Sequence, residues 1–207
     1  MTPEEVRIPA DGVELEGLLA VPEGATGLVV FAHGSGSSRH SPRNTAVAET
    51  LRERGLGTLL FDLLTEREDQ RRENRFDIDL LADRLVAATG WVREREPDLR
   101  VGYFGSSTGA AAALRAAARL GDAVGAVVSR GGRVDMAGDA LGSVPAPTLL
   151  VVGGEDEVLE LNREAFDRLD CERELHVVEG AGHLFEGAGE LEAVAAVAAD
   201  WFAETLG

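Results

Sequence analysis

The feature that most constrains the fold of this chain is a regular alternation of short apolar runs with longer stretches of helical periodicity. Within the apolar runs, apolar and polar residues do not alternate, which is typical of strands buried on both faces of a parallel sheet. The predicted strands are Gly27 to Ala32, Thr58 to Phe61, Arg100 to Phe104, Val124 to Val128, Thr148 to Val152 and Glu174 to Val178.

The stretches between these runs carry apolar residues at helical spacing. The two clearest helical faces are formed by Ile78, Leu81, Leu85, Ala88 and Val92, and by Leu191, Val194, Ala198, Trp201 and Phe202. Alternating strands and helices predict an α/β fold with a mostly parallel central sheet and helices on both faces. In such sheets the functional site lies at the carboxyl ends of the strands, so we expect the loops after the strands to carry the chemistry.

The N-terminal part follows a different pattern. Val13 to Val21 alternates like a half-buried strand, and a shorter extended piece, Val6 to Pro9, precedes it across Asp11-Gly12, a strong hairpin signal. We therefore predict an antiparallel hairpin at one edge of the sheet. The 207 residues contain no repeat or linker that would divide them, so one domain over residues 1–207, without a cap domain, is expected.

Charge and composition exclude several classes of function. The formal net charge of −17 repels nucleic acids and anionic membranes, so neither is an expected partner. All 20 basic residues are Arg, which excludes Schiff-base chemistry and the P-loop lysine. A single cysteine, Cys171, and four His make a metal site unexpected. With no signal peptide or membrane-spanning run, we expect a cytoplasmic protein. No cofactor is expected either.

One motif has the form of a catalytic turn. Gly105 to Gly109 reads Gly-Ser-Ser-Thr-Gly and stands between a predicted strand and the helix-forming run Ala110 to Leu120. The central Ser107 would occupy a strained strand-to-helix turn, where flanking glycines are needed because a Cβ would collide with neighbouring backbone. The alternative interpretation is a serine-rich N-cap on an ordinary helix.

A serine nucleophile needs a base and an orienting carboxylate, and both stand after later strands. The strand ending at Val152 is followed by Glu155, Asp156 and Glu157, and the strand ending at Val178 is followed by His183. The residues alone leave the three acids as alternatives, because charge runs are usually solvated. A loop histidine bonded to backbone is the alternative for His183.

Backbone donors for a developing oxyanion are expected in the loop after an early strand. His33 to Arg39 (His-Gly-Ser-Gly-Ser-Ser-Arg) is such a loop, and the N–H groups of Ser35 and Thr108 are the predicted donors. A phosphate cradle is the alternative, although no P-loop lysine follows. His33 is predicted to be structural, and His40 and His176 to be surface or packing residues.

These motifs together resemble the α/β-hydrolase family, and within it the dienelactone-hydrolase-like branch of small proteins without a cap. The resemblance extends from the first hairpin to the last helix, and its Gly-Gly-x-Asp motif implies that Asp156 is the acid. Two features differ: the namesake enzymes use a cysteine where Ser107 stands, and their oxyanion loop does not read His-Gly-Ser-Gly.

The predicted activity is hydrolysis of short, polar carboxylic esters, lactones or thioesters through an acyl-enzyme. Ser107 attacks, His183 transfers the proton and Asp156 orients His183. Acyl transfer on the same residues and a non-catalytic ligand-binding protein of the same fold are the alternatives. An anionic substrate group would pair with Arg130 or Arg39, unless Arg130 is instead bonded to Asp135 or to loop carbonyls.

Overall fold

A computed structural model describes residues 1–207, which form one eight-stranded sheet and seven α-helices. The strands are β1 (Glu4–Ala10), β2 (Val13–Ala20), β3 (Gly27–Ala32), β4 (Gly57–Phe61), β5 (Arg100–Ser106), β6 (Val124–Arg130), β7 (Thr148–Gly153) and β8 (Arg173–Val178). The helices are α1 (Pro42–Glu53), α2 (Glu66–Asp69), α3 (Arg72–Arg75), α4 (Ile78–Arg95), α5 (Thr108–Leu120), α6 (Leu159–Arg168) and α7 (Glu190–Leu206). Two 3₁₀ segments, Gly121–Ala123 and Val134–Ser143, flank β6.

The strand order is β1-β2-β4-β3-β5-β6-β7-β8. The pairs β1–β2 and β2–β4 are antiparallel, and all pairs from β4 to β8 are parallel. At the hairpin turn, Asp11 and Gly12 both have positive φ, 45° and 81°, as a two-residue turn matching the strand twist requires. The predicted architecture, a mostly parallel sheet with an antiparallel N-terminal hairpin, is confirmed.

The core consists of two apolar layers, one on each face of the sheet. One layer packs α4 and α5 against the sheet, and the other packs α1 and α7 against the opposite face. The predicted α4 face is buried along its whole length, and Asp77 caps the helix by accepting a hydrogen bond from the Leu80 N–H. None of the helices combines the length and the apolar character that crossing a membrane requires.

Two local predictions were wrong. The strand predicted at Glu174 to Val178 is not buried on both faces, because β8 is the last strand of the sheet and its residues are exposed or half-buried. The charge run Glu66 to Arg75 has the composition that predicts a solvated loop. It is indeed exposed or half-buried, but it forms α2 and α3. It folds because Thr65 and Glu68 make a capping box and because Glu68 pairs with the buried Arg84 at 2.7 Å.

Candidate functional site

Segments that follow six parallel strands, β3 to β8, meet in one cleft of about 510 Å³ at the carboxyl edge of the sheet. The structure brings Ser107, Asp156 and His183 together there, with Ser35 and Thr108 beside them. Glu155, Glu157, Arg133, Phe76 and Val158 complete the lining.

The turn that carries Ser107 is the strained turn predicted from the glycine spacing. Ser107 has φ 51° and ψ −122°, a conformation that L-residues rarely adopt. The glycines are required by close approach: a Cβ at Gly105 would lie 2.5 Å from the Ala110 Cα, and one at Gly109 would lie 2.1 Å from the Ala32 carbonyl oxygen. The Ser107 carbonyl accepts a hydrogen bond from the Arg133 N–H at 3.0 Å, which holds the turn against the loop after β6.

Asp156 is the acid that reaches the histidine. Its Oδ2 lies 2.9 Å from His183 Nδ1, while its Oδ1 accepts the Val158 N–H at 3.1 Å. The Asp156 side chain is 2% exposed and that of His183 is 43% exposed, so a buried carboxylate holds a ring that faces the cleft. Glu155 and Glu157 are exposed at the rim. With Nδ1 on Asp156, Nε2 is the ring nitrogen left to exchange a proton in the cleft.

The loop that carries His183 is fixed by the three residues that follow the histidine. Phe185 is buried in the α1–α7 layer and has φ 52°, a strained conformation for an aromatic residue. Arg43, from the first turn of α1, donates to the Leu184 carbonyl at 3.0 Å and to the Glu186 carboxylate at 3.4 Å. These contacts keep the histidine loop beside the loop after β3.

The two predicted oxyanion donors are neighbours. The Ser35 N–H donates to Thr108 Oγ1 at 3.0 Å, so the loop after β3 is tied to the first residue of α5. A Cβ at Gly34 would lie 3.1 Å from the Ser107 Cβ, which shows how close this loop comes to the turn. Ser35 and Thr108 therefore lie beside Ser107, and the donor role of their N–H groups stays a prediction.

His33 has a structural environment. Its Nε2 accepts the Leu63 N–H at 3.0 Å and its Nδ1 donates to the Gly34 carbonyl at 2.9 Å, which requires a neutral ring. Burial lowers the pKa of His33 below its usual value, in agreement with this neutral form. His40 is exposed and His176 is half-buried on β8, outside the cleft.

The structure does not bring Arg39 or Arg130 into the cleft. Arg39 pairs with Asp62 and with Glu16 in a separate cavity. Arg130 makes no bond to Asp135 or to a loop carbonyl, and its Nη1 is buried without a partner. Burial, together with the nearby charge of Arg43, lowers the pKa of Arg130 to about 10.

Three residues of the cleft, Phe76, Arg133 and Val158, are not predicted from the motifs. Arg133 lines the cleft and is the arginine that bonds Asp135, at 2.9 and 3.0 Å. Phe76, 36% exposed, lines it as the main apolar surface. The sequence gives one signal for Phe76, since it is an aromatic residue at the end of a charge run, next to the helix-capping Asp77.

Comparison with solved structures agrees with the resemblance. A dienelactone hydrolase from Anabaena variabilis is 52% identical to this chain, with 100% of both chains covered and a TM-score of 0.96. Est1E from Butyrivibrio proteoclasticus is 18% identical, covers 97% of this chain and 98% of its own, and has a TM-score of 0.83. The second likeness shows the fold alone.

A Mycobacterium tuberculosis protein that carries the name "Putative phosphoribosyl transferase" is 59% identical over 98% of this chain. The match covers 46% of that protein, so the chain spans about half the length of the curated relatives it matches. Residues 25–195 match the profile of the family described as "Alpha/beta hydrolase domain". The chain therefore belongs to the α/β-hydrolase family and is dienelactone-hydrolase-like in structure.

Proposed function

We propose that this protein is a serine hydrolase that cleaves short, polar carboxylic esters, including lactones and thioesters, through an acyl-enzyme. The observation that carries the proposal is the meeting of three groups in one cleft: Ser107 on a strained turn, His183 facing the cleft, and a buried Asp156 2.9 Å from the His183 ring. These are the parts that serine acyl transfer requires.

In the proposed reaction, Ser107 Oγ attacks the carbonyl carbon of the ester as its proton passes to His183 Nε2. The carbonyl π electrons move to oxygen, and the resulting oxyanion accepts hydrogen bonds from the N–H groups of Ser35 and Thr108. When the C–O bond to the leaving group breaks, His183 returns the proton to the alcohol. Water then repeats these steps on the acyl-enzyme and releases the carboxylic acid and free Ser107.

Asp156 acts on His183 rather than on the substrate. Its carboxylate accepts a hydrogen bond from Nδ1, which fixes the tautomer with Nε2 free, and its charge stabilises the imidazolium that forms during attack. The hydrogen bond from the Val158 N–H holds this carboxylate in place.

The lining of the cleft supports a short, polar substrate. Phe76 and Val158 are the only hydrophobic residues among those that line it, so the lining does not have the composition of an apolar tunnel. Since each buried CH₂ is worth about 0.8 kcal/mol, a tunnel would raise kcat/KM about fourfold per methylene, and we expect no such sustained rise. Arg133 is already paired with Asp135, so the cleft offers no unpaired cationic side chain to an anionic substrate. The exposed carboxylates of Glu155 and Glu157 at the rim would also repel such a substrate.

The name of the mycobacterial relatives supplies a second candidate, phosphoribosyl transfer. Its pyrophosphate-bearing substrate is highly anionic and would lie beside Glu155, Asp156 and Glu157, with Arg133 as the single arginine in the cleft. We infer that phosphoribosyl transfer belongs to the half of those relatives that this chain does not match.

Pre-steady-state kinetics with p-nitrophenyl esters test the proposal. We expect a burst of one p-nitrophenol per protein, and a rate maximum for acyl chains shorter than decanoate. Absence of both burst and turnover would contradict the hydrolase, and a maximum at decanoate or longer would contradict the polar substrate class. Release of pyrophosphate from phosphoribosyl pyrophosphate would instead support the second candidate.

A further inference from the structure

We propose that the side-chain hydroxyl of Thr108 is a third donor to the oxyanion, in addition to the backbone N–H groups of Ser35 and Thr108. This inference rests on the proposed function, since it assigns a further catalytic group to the same reaction. It concerns the side chain alone, because the GxSxG pattern predicts only the backbone N–H at this position.

The position of the hydroxyl supports this role. Thr108 lines the cleft with Ser107 and His183, although its side chain is buried among α5 and the loop after β3. Its Oγ1 lies 3.0 Å from the Ser35 nitrogen, and three covalent bonds separate it from its own backbone nitrogen. The hydroxyl oxygen is therefore close to both backbone nitrogens that are the proposed oxyanion donors.

The hydroxyl also has a hydrogen to donate. Thr108 Oγ1 accepts the Ser35 N–H and donates to no protein group. Three threonines farther from the start of their helices behave differently: Thr50, Thr89 and Thr205 each donate to the carbonyl four residues earlier. Thr108 is the first residue of α5, so its helix has no such carbonyl, and its hydrogen stays available.

Electrostatics then fixes the direction of the bond. A hydroxyl carries one hydrogen and two lone pairs, and one lone pair of Thr108 Oγ1 already faces the Ser35 N–H. An oxyanion held by both N–H groups would be repelled by the second lone pair. Pointing the hydrogen at the oxyanion replaces this repulsion with a charge-assisted hydrogen bond. The Ser35 N–H can then be shared between the hydroxyl and the oxyanion.

Three variants test the hydroxyl by steady-state kinetics on an activated ester. Thr108→Val keeps the shape of the side chain without the hydroxyl, and we expect kcat/KM to fall about 10- to 100-fold, since a single oxyanion donor is worth about 10²–10³-fold in kcat. Thr108→Ser restores the hydroxyl and should recover most of the rate. Thr50→Val removes a hydroxyl in α1, outside the cleft, and should leave the rate unchanged.

The crystal structure of a phosphonate adduct separates donation from mere positioning of the loop. The phosphonyl oxygen of the adduct stands in for the oxyanion. We expect Thr108 Oγ1 about 2.5–3.0 Å from that oxygen. A separation beyond about 3.5 Å, with the hydroxyl bonded to Ser35 alone, would overturn the proposal and leave Thr108 a positioning residue.

The outcomes also separate this inference from the proposed function. If the wild-type protein neither turns over esters nor forms the adduct, the proposed function fails and this inference fails with it. If the wild-type protein is active but Thr108→Val matches it, or Thr108→Ser is as slow as Thr108→Val, only the role of the hydroxyl is overturned.

Discussion

Two histidines lie at the carboxyl edge of the sheet, and each has an aspartate and a serine nearby. His183 shares its cleft with Asp156 and Ser107. His33 lines a separate cavity of about 390 Å³ with Asp62 and Ser37. The two sets contain the same residue types, yet their hydrogen bonds differ in a way that assigns them opposite roles.

In the His33 cavity, His33 and Asp62 are both fully engaged in hydrogen bonds. Both ring nitrogens of His33 are bonded to backbone groups, and the Asp62 carboxylate is bonded to the Arg39 side chain and to the Arg39 N–H. Such saturation stabilises the folded state and leaves no nitrogen to accept a proton. His33 therefore joins the loop after β3 to the loop after β4.

In the His183 cleft the hydrogen bonding is incomplete and the backbone is strained. One ring nitrogen is held by Asp156 and the other is free, while Ser107 and Phe185 have positive φ. Strain and unused hydrogen-bonding capacity at one place are typical of functional sites. Proximity of a histidine, an aspartate and a serine is therefore not enough to make a functional site. The two cavities are distinguished by hydrogen-bonding groups that have no protein partner, such as the free ring nitrogen of His183.

The largest expected effect on kcat comes from replacing Ser107, and the matched serine of the other cavity, Ser37, serves as its control. We expect Ser107→Ala to lower kcat for an activated ester about 10⁴-fold or more, because the nucleophile is lost while oxyanion stabilisation remains. Ser37→Ala, in the other cavity, should leave kcat unchanged. Ser106→Ala should keep most of the activity, and equal losses in Ser106→Ala and Ser107→Ala would mean that the register of the turn is wrong.

Replacing the two aspartates, Asp156 and Asp62, should change kcat to very different extents, nearly as different as for the two serines. Asp156→Asn should lower kcat about 10³- to 10⁴-fold, because the amide favours the wrong tautomer of His183. Asp62→Asn, Glu155→Gln and Glu157→Gln should each change kcat less than about threefold. A larger loss in Glu155→Gln than in Asp156→Asn would contradict the assignment of the acid.

Replacing the structural histidine should affect stability instead. His33→Leu leaves the Leu63 N–H and the Gly34 carbonyl without their partner, at about 1–3 kcal/mol for each unsatisfied buried group. We expect urea unfolding to show a loss of about 2–4 kcal/mol. Because His40 is exposed, His40→Ala should change the free energy of unfolding by less than about 0.5 kcal/mol. Equal stability of His33→Leu and wild type would refute the structural role.

The smallest expected effect is the change in the free energy of unfolding with pH. Burial lowers the pKa of His33 in the folded state, so as the pH falls through 6.5, its usual value, the unfolded state binds more protons than the folded state. The free energy of unfolding should therefore decrease as the solution is acidified from pH 7 to pH 5. His33→Leu should show a smaller decrease than wild type in urea titrations at the two pH values, and an identical decrease would count against a neutral, buried His33.

Much of this architecture is predictable from sequence because it follows from local rules. The apolar runs predict the parallel strands, Asp11-Gly12 predicts the hairpin turn, and Gly105 and Gly109 predict the crowded turn at Ser107. The Gly-Gly-x-Asp resemblance favours Asp156, the acid that the structure places against His183.

The direction of long side chains at the strand ends is harder to predict. Arg130 and Arg133 stand on either side of a Gly-Gly turn, and the path of that turn brings Arg133 into the cleft. Strand alternation does give a signal for Arg130, because it shares its face with Val128, which packs toward α7. The exposure of β8 depends on its edge position, which is a property of the whole sheet and not of its own sequence.

The most direct test of the contrast between the two cavities is to map where an activated phosphonate ester attaches, by mass spectrometry of the digested protein. We expect one phosphonyl group per chain on Ser107, slower attachment in Asp156→Asn, and unchanged attachment in Asp62→Asn. Attachment at Ser37 or Ser38, or labelling of Ser107→Ala at the wild-type rate, would contradict this expectation.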